Sequence, residues 1–600
     1  MKLIQSIGLI LFCIALLTFT AMLGIGKIEL NESNFTVENQ YHKKAILSAA
    51  KSADLLNKPT SNIAFISQYK SVIDGANQTL EAQAKDGLPD GVEIWDYKIA
   101  KWKKNEYITE AVKTGASGPV KDNPLLFLFL TFGLAIIGGL LYILPKFREH
   151  EGIKNNGIYH DSLTKGIKSP IRTVYLLGTI VGVLIFGFFK LQDIFWPLVT
   201  FLLGLLITYL VFFRENSKDH NPQRSASPDK SGILGIIAGT YMLVFYVLLY
   251  WAPAYIDNWV TMVSPVSEML SGNGASRWFL YGMMYTCIVI VMGIRMMTKY
   301  QHNTYQKIRT LSVMFFQTAF AFLIPEILVR LNKPWFDFKN FWPLDYDFFY
   351  SYNIKELSSS GSLGLFMLIW GIIGIIIIIP LMTYFMGKRW YCSWVCGCGG
   401  LAETLGDPWR QLSDKSMRAW KYERYIIHGV LALAIIMTLF VLFHAFTGTS
   451  SILGLEVEGI KSWYGFFIGA GFSGVVGTGF YPLMGNRMWC RFGCPLAAYL
   501  GLVQKFKSKF RITTNGGQCI SCGNCSTYCE MGIDVRAYAQ KGQDIVRSSC
   551  VGCGVCSAVC PRGVLRLENG SDDISTRTDA MRTIHITEDQ IFFNNVEEMV

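Results

Sequence analysis

Long apolar runs alternate with polar segments through most of the chain. Each run approaches or exceeds the roughly eighteen residues that a helix needs to cross the hydrocarbon core of a bilayer. The pattern therefore predicts an α-helical polytopic membrane protein with about ten transmembrane helices. The predicted spans lie at 3–26, 124–145, 172–189, 194–213, 232–251, 278–297, 309–331, 362–386, 425–447 and 462–484.

The composition excludes a single soluble enzyme. Of 600 residues, 51% are hydrophobic and 16% are charged, whereas soluble proteins have about a quarter charged residues. The net charge of +11 does not indicate nucleic-acid binding, because the basic residues gather in loops on one side of the predicted spans. The connectors 146–172 and 388–424 hold six and seven Lys or Arg, whereas 332–361 holds three Lys and four acids. The positive-inside rule then predicts a multi-pass protein of the bacterial inner membrane with both termini in the cytoplasm.

The polar segments divide the chain into six parts. The first apolar run lacks a cleavage site and predicts a retained membrane anchor. The polar, cysteine-free stretch that follows predicts a small periplasmic domain. The parts are the anchor at 1–26, the periplasmic domain at 27–123, transmembrane helices at 124–297, a transmembrane core with two cysteine motifs at 298–510, a cysteine-rich module at 511–570 and an acidic tail at 571–600.

Thirteen of the fifteen cysteines follow residue 390, and eight of them form two copies of one spacing. The spacing, C-x2-C-x2-C-x3-C, is typical of two [4Fe–4S] clusters in which the last cysteine of each copy binds the other cluster. It predicts an α+β bacterial dicluster ferredoxin-like domain at 511–570. Cluster 1 is assigned Cys519, Cys522, Cys525 and Cys560, and cluster 2 is assigned Cys550, Cys553, Cys556 and Cys529.

Structural zinc sites are the alternative for these eight cysteines. A structural zinc ion takes four ligands, and eight cysteines in a duplicated cubane spacing favour iron. Glu530 stands in the first copy where Pro561 stands in the second. We therefore expect the same ligands but a changed turn after Cys529.

Two further cysteine pairs follow predicted spans. The pairs Cys392-x3-Cys396 and Cys490-x3-Cys494 share one spacing, and residues four apart lie on one face of a helix. Together they predict a third iron–sulfur cluster, or another metal site, at the membrane surface. Cys398 is an alternate ligand to Cys396. Free thiols near aromatic residues of the membrane surface are the alternative for the whole set.

With these motifs, residues from about 300 to 567 resemble the membrane-bound polyferredoxins typified by the NosR, NapH and CcoG (FixG) proteins. The resemblance rests on the two C-x3-C motifs after transmembrane helices and on the module from GGQCISCGNCSTYC to CVGCGVCSAVCPRGV. In that family Pro follows the second cysteine of each motif; Pro495 agrees here and Gly397 does not. The resemblance implies electron transfer in a membrane, or reduction of a metal or thiol during the maturation of another enzyme.

Gln317 and Glu326 are the candidate quinone or proton residues, because polar side chains in an apolar span are costly unless they face a cavity or a partner. An ion pair with Arg330, four residues later, is the alternative for Glu326. Haem is not expected. The two histidines within predicted spans, His428 and His444, lie too far apart on one helix to bind one iron.

Three other features are expected to be structural. Arg295 and Arg309 stand at inner helix ends, where snorkelling to the membrane surface explains them. The aromatic segment 335–350 is expected to lie along the outer interface as an aromatic belt. The six glycines between positions 465 and 479 indicate close helix packing.

Together these features predict a membrane-bound iron–sulfur electron-transfer protein. It would link the quinone pool or a periplasmic partner to a cytoplasmic redox protein, as an oxidoreductase component similar to a quinol dehydrogenase. One alternative is a metal or thiol reductase that matures a respiratory metalloenzyme, as the CcoG likeness implies. The other is a subunit of a redox-driven ion pump, which the many spans and Glu326 suggest.

Overall fold

The computed structural model describes residues 2–32, 35–86, 97–148, 233–449, 451–452 and 454–569, and the backbone of 582–586 and 591–595. These residues are mostly helical. The predicted spans at 172–189 and 194–213 lie outside the described residues, as does most of the predicted acidic tail. Within the tail, Arg582–Ile586 and Ile591–Asn595 pair as antiparallel strands.

Six helices in the described part of the chain are long and apolar enough to cross a membrane, and a bent helix pair would make seven. The bent pair, Ile237–Trp251 and Pro253–Ser271, turns through 111°. Each of the six coincides with a predicted span, because uninterrupted apolar length is a local property of the sequence. The six are Lys2–Ala21, Pro124–Ile143, Arg277–Lys299, Thr304–Arg330, Gly361–Met386 and Met417–Thr447.

The predicted span at 462–484 is not among these six helices. Val457–Tyr464, Gly465–Val476 and Gly477–Gly479 follow one another without a break in helical backbone, the middle stretch in wide π-helical turns, and the short helix Tyr481–Met484 ends the segment. The glycines allow a close approach to the helix Ile233–Trp251. A Cβ atom at Gly474, for example, would lie 2.7 Å from the ring of Tyr250. The prediction of close helix packing at these glycines is therefore confirmed.

Wide π-helical turns occur where proline interrupts two of the spans. Phe316–Leu323 comes before Pro325, and Gly374–Ile378 comes before Pro380. Proline has no backbone N–H and clashes with the preceding turn, and such breaks are a common cause of irregular helical geometry. The first of these stretches contains Gln317, whose side chain is buried in the bundle.

A small domain follows the first span. Three helices pack around one apolar core, and three two-residue strands form an antiparallel sheet beside them. Asn39 caps the first helix by accepting hydrogen bonds from the next turn. The core includes Ala254, so the domain rests on the bent helix pair. The helices are Gln40–Ser52, Asn62–Asp86 and Lys101–Gly115, and the strands, in sheet order, are Thr60–Ser61, Lys27–Ile28 and Ala116–Ser117.

Short helical segments carry the two C-x3-C motifs between the spans and the module. The first motif lies among Arg389–Cys392, Gly397–Thr404 and Asp407–Leu412, and the short helix Ser351–Ser359 lies before the preceding span. The second motif lies among Tyr481–Met484, Trp489–Gly493 and Pro495–Lys507. Both sets of segments contribute to one apolar core with the module.

Two antiparallel strands close the C-terminal module. Phe510–Thr514 pairs with Leu565–Asn569, with Phe510 opposite Asn569 and Thr514 opposite Leu565. Three short helices lie between them, so the module has the predicted α+β character. The helices are Asn524–Thr527, Val535–Gln540 and Val555–Ala558.

The aromatic loop, residues 331–350, folds back into the helical bundle. Trp335 at its start is exposed, but Phe341 is buried. The Tyr391 hydroxyl donates a hydrogen bond of 2.8 Å to the Lys339 carbonyl. The prediction of an interfacial belt is therefore wrong for the middle of the loop. The inward-turned backbone is tolerated because its carbonyl at Lys339 finds a donor inside the protein.

Candidate iron–sulfur sites

The four cysteines assigned to cluster 1 line one cavity of about 360 Å³ in the module. Cys519, Cys522 and Cys525 come from one loop, and Cys560 comes from the other copy of the spacing. The loop passes through the left-handed region at Ser521 (φ 59°) and at Gly523 (φ 80°). That conformation strains most side chains but not glycine. These turns curl the loop around the cavity.

The four cysteines assigned to cluster 2 line a second cavity of about 360 Å³. Its lining includes apolar side chains from the closing strand and its neighbours, and the loop turns sharply at Gly552 (φ 59°) and Gly554 (φ 73°). The structure therefore brings the last cysteine of each copy to the cavity of the other. The four are Cys529, Cys550, Cys553 and Cys556.

The donor set in each cavity fits a cubane iron–sulfur cluster. Such clusters are held by four cysteine thiolates. Burial raises the pKa of the Cys525 and Cys553 thiols to about 12, so at neutral pH these thiols keep their protons until a metal binds the sulfur and releases the proton to solvent. Among the described residues, no three His, Cys, Asp or Glu side chains are placed to hold a single metal ion.

The two cavities differ in what covers them. Ile520, beside the first cavity, is 51% exposed. The second cavity lies under the start of the helix Thr304–Arg330, where the Tyr305 hydroxyl donates to the Gly552 carbonyl at 2.9 Å. The Gln306 amide likewise donates to the Cys553 carbonyl at 2.8 Å. The first cavity therefore faces solvent, and the second faces the membrane part of the protein.

The two C-x3-C pairs meet in one buried group of thiols. All four side chains are between 5% and 8% exposed and share one apolar core. Burial, with smaller contributions from Cys396 and Cys490, raises the pKa of Cys392 to about 12. We call Cys392, Cys396, Cys490 and Cys494 the membrane-border site.

The second cysteine of each pair begins a helix. Cys396 precedes Gly397–Thr404 and Cys494 precedes Pro495–Lys507. The Ala497 N–H donates to the Cys494 sulfur at 3.4 Å. Helix N-termini favour nearby negative charge and hence thiolates. Both helices therefore direct partial positive charge at the membrane-border site.

Cys398 lies beside this group. A hydrogen bond between the Cys398 and Cys396 side chains lowers the pKa of Cys396 to about 6, against the effect of burial. Cys398 thus places a fifth thiol beside the membrane-border site, one more than the four that a cubane uses. The adjacency leaves both Cys396 and Cys398 as candidate ligands.

Sequence reasoning missed Arg487, which joins the two pairs. Its guanidinium donates to the Cys490 sulfur at 3.5 Å and to the Cys392 carbonyl at 3.0 Å. The side chain is fully buried. The sequence feature that could have identified Arg487 is its position one helical turn before Cys490 in a largely apolar segment.

The snorkelling prediction is wrong for Arg309. Its side chain is 1% exposed and forms an ion pair with Glu403. Arg295, with 23% of its side chain exposed, reaches Asp407 at 3.2 Å. Both arginines turn inward because buried carboxylates from the segment after Cys396 compensate their charge.

The two candidate quinone or proton residues lie apart. Gln317 is buried and donates to the Thr286 hydroxyl at 3.3 Å. A Cβ atom at Gly397 would lie 2.7 Å from the Gln317 side-chain oxygen, so Gln317 reaches the membrane-border site. Glu326 is half-buried, nine residues further along the same span, and bonds to Trp335.

Arg330 does not act as the predicted partner of Glu326. Its guanidinium donates to the carbonyls of Glu268 and Met269, each at 3.2 Å. These acceptors end the neighbouring helix Asp257–Ser271. Cations are favoured at a helix C-terminus, which explains this orientation.

Family comparisons match three segments of the chain. Residues 511–561 match a 4Fe-4S dicluster domain. Residues 367–416 and 464–513 each match a 4Fe-4S binding domain. Each of the latter segments contains one C-x3-C motif. The two cavities and the membrane-border site thus lie in segments similar to iron–sulfur binding domains.

Two curated proteins are similar to part of the chain. The putative electron transport protein YccM of Escherichia coli K12 is 26% identical over 158 residues, which cover 25% of this chain and 43% of YccM. The methylamine utilization ferredoxin-type protein MauN of Paracoccus denitrificans is 28% identical over 179 residues, which cover 29% of this chain and 59% of MauN. No solved structure matches. The chain therefore combines 4Fe-4S binding domains with candidate transmembrane helices, and it is similar over about a quarter of its length to ferredoxin-type and electron-transport proteins.

Proposed function

We propose that this protein is an iron–sulfur electron-transfer protein of the bacterial inner membrane. It links the quinone pool or a periplasmic partner to a cytoplasmic redox protein. The proposal rests on one observation: three groups of cysteines follow one another from an exposed end of the module to the membrane border. The similarity to proteins named for electron transport supports the same reading.

The cysteines form three sites. Cys519, Cys522, Cys525 and Cys560 hold cluster 1 at the exposed end, and Cys529, Cys550, Cys553 and Cys556 hold cluster 2 beneath it. The membrane-border site holds a third iron–sulfur cluster, with Cys398 as the alternate to Cys396. Iron–sulfur clusters, when bound, accept and release single electrons. The protein's own residues keep water from the inner two sites and fix the distances between all three.

The membrane arrangement is proposed from the sequence. About ten spans, with both termini in the cytoplasm, would place the module inside the cell and residues 27–123 in the periplasm. This is the arrangement expected of a polyferredoxin of the NosR, NapH and CcoG type. Gln317 is the better candidate for a quinone contact, because it reaches the membrane-border site and Glu326 does not.

Iron and acid-labile sulfide should be counted per chain in the purified full-length protein, with electron paramagnetic resonance of the reduced sample. Three cubanes require about twelve irons. Replacing Cys392 and Cys490 together by serine should leave about eight irons. Cys13→Ser is the matched control, because Cys13 lies exposed in the first span. Full iron content in the double variant would refute the third cluster.

A reductase that matures another metalloenzyme is the second candidate. The fifth thiol favours it, since Cys398 beside Cys396 gives this site one more donor than a cubane uses. Copper retained by a variant lacking all eight module cysteines would support this function. Iron and sulfide retained by the same variant would support electron transfer. A redox-driven ion pump would instead require that turnover in proteoliposomes charge the membrane.

A further inference from the structure

Six buried charged side chains lie between the second cavity and the membrane-border site. Each is at most 2% exposed. Burying a charge is costly, and replacing a buried ion pair by apolar side chains is often neutral or stabilising. A network of this size is therefore poorly explained by stability alone. Its members are Arg309, Glu403, Asp407, Arg410, Arg487 and Glu530.

Arg487 has contacts on both sides of this region. On one side it donates to the Cys490 sulfur at 3.5 Å. On the other side its Nε lies 3.0 Å from a carboxylate oxygen of Glu530. Glu403 forms a further ion pair with it. One guanidinium thus joins the membrane-border site to the residue that follows Cys529.

Glu530 is the centre of the arrangement. Its other carboxylate oxygen accepts from Arg410 at 2.7 Å and from the Asn486 amide at 3.2 Å. Arg410 in turn lies 4.0 Å from the Cys553 sulfur. The sequence predicts only a changed turn at Glu530. The carboxylate instead connects an arginine at cluster 2 with an arginine at the membrane-border site.

We propose that Arg487, Glu530 and Arg410 form a charged bridge that holds the membrane-border site against cluster 2 and sets the reduction potentials of both. This inference rests on the proposed function, because it needs redox-active clusters at both sites. The three side chains are positioning residues that act on the cysteine ligands. Their rigid, paired geometry fixes the charge near each site, as flexible surface charges would not.

The sign of each effect follows from charge. Reduction adds one electron to a cluster whose thiolate ligands already make it negative, so a nearby cation stabilises the reduced form. Arg487→Gln should therefore lower the midpoint potential of the membrane-border cluster. Glu530→Gln removes a negative charge beside Cys529 and should raise the midpoint potential of cluster 2. Buried charges interact strongly, because the surrounding dielectric constant is low.

Redox titration of the full-length protein, followed by electron paramagnetic resonance, tests the bridge. At the wild-type midpoint, each single variant should change the ratio of oxidised to reduced cluster by roughly tenfold. Arg487→Gln should favour the oxidised membrane-border cluster, and Glu530→Gln should favour the reduced cluster 2. The double variant Arg487→Gln/Glu530→Gln removes a neutral pair. It should return cluster 2 towards the wild-type potential and leave the membrane-border cluster low. Arg487→Lys, which keeps the charge, should shift the potentials less than Arg487→Gln.

Arg491→Gln is the matched control. Arg491 is also buried and lies four residues further along the chain, in the short helix Trp489–Gly493, but it pairs with Glu423 at 2.7 Å. Loss of iron from the membrane-border site in Arg487→Gln but not in Arg491→Gln would support the bridge. Equal loss in both variants, or unshifted potentials with full iron content, would overturn it. Wild-type protein without redox-active iron would instead refute the proposed function.

Discussion

Asp407 offers a direct test of whether buried charges hold the module to the membrane part. Its side chain is fully buried and receives three cations: Lys299 at 2.7 Å, Arg295 at 3.2 Å and Arg410 at 3.2 Å. Burial disfavours the charged carboxylate, yet these cations together hold the pKa of Asp407 well below its usual value. Asp407→Asn would leave buried cations without their counter-charge. Breaking a buried pair in this way costs about 3–5 kcal/mol.

The free energy of unfolding should be measured in mixed detergent micelles, with loss of helical circular dichroism as the signal. Asp54→Asn is the matched control, because Asp54 pairs with Lys58 while its side chain is 88% exposed. Exposed ion pairs contribute little to the free energy of unfolding. The pKa of Asp407 is lower in the folded state than in the unfolded state. Its charged carboxylate therefore contributes its full share of the free energy of unfolding above the unfolded pKa of about 4. The difference between Asp407→Asn and wild type should therefore be constant between about pH 5 and 8. Equal costs for the two Asn variants would refute the reasoning.

Two further predictions concern the membrane-border site and its packing. If Cys396 is the ligand, Cys396→Ser should lose about four irons per chain while Cys398→Ser keeps them, by iron analysis; the reverse pattern would assign the ligand to Cys398. Gly400→Ala would place a Cβ atom 2.3 Å from the Val313 side chain, and such overpacking costs about 1–3 kcal/mol of unfolding free energy. Gly75→Ala, where no atom lies within 4 Å of the new Cβ, should instead stabilise its helix slightly; equal effects would contradict the described packing.

Features that depend on local sequence were predictable. The apolar length of six spans agrees with expectation, and the eight module cysteines lie around two cavities, four at each. The cysteines of a C-x2-C-x2-C loop lie within a few residues of one another, and an apolar run is recognised from its own length. Both patterns depend only on residues that are close together in the sequence.

Features that depend on distant partners were not predictable. Arg309 looked like a snorkelling residue, because its partner Glu403 lies 94 positions further along the chain. Glu530 looked like a substituted turn residue, because Arg410 and Arg487 reach it from two other segments. The aromatic loop looked interfacial, because its backbone contacts come from Tyr391. The pattern of residues along one sequence does not show which distant residues contact each other in the fold.

The central claim is that three iron–sulfur centres stand in series from the exposed end of the module to the membrane border. Rapid mixing of the oxidised protein with a soluble reductant, followed by freeze-quenching and electron paramagnetic resonance, tests this order. With the centres in this order, the module clusters should be reduced first and the membrane-border cluster should follow, with the delay lengthened in Glu530→Gln. Simultaneous reduction at all sites from solution, or a protein that binds zinc and shows no such signal, would contradict it.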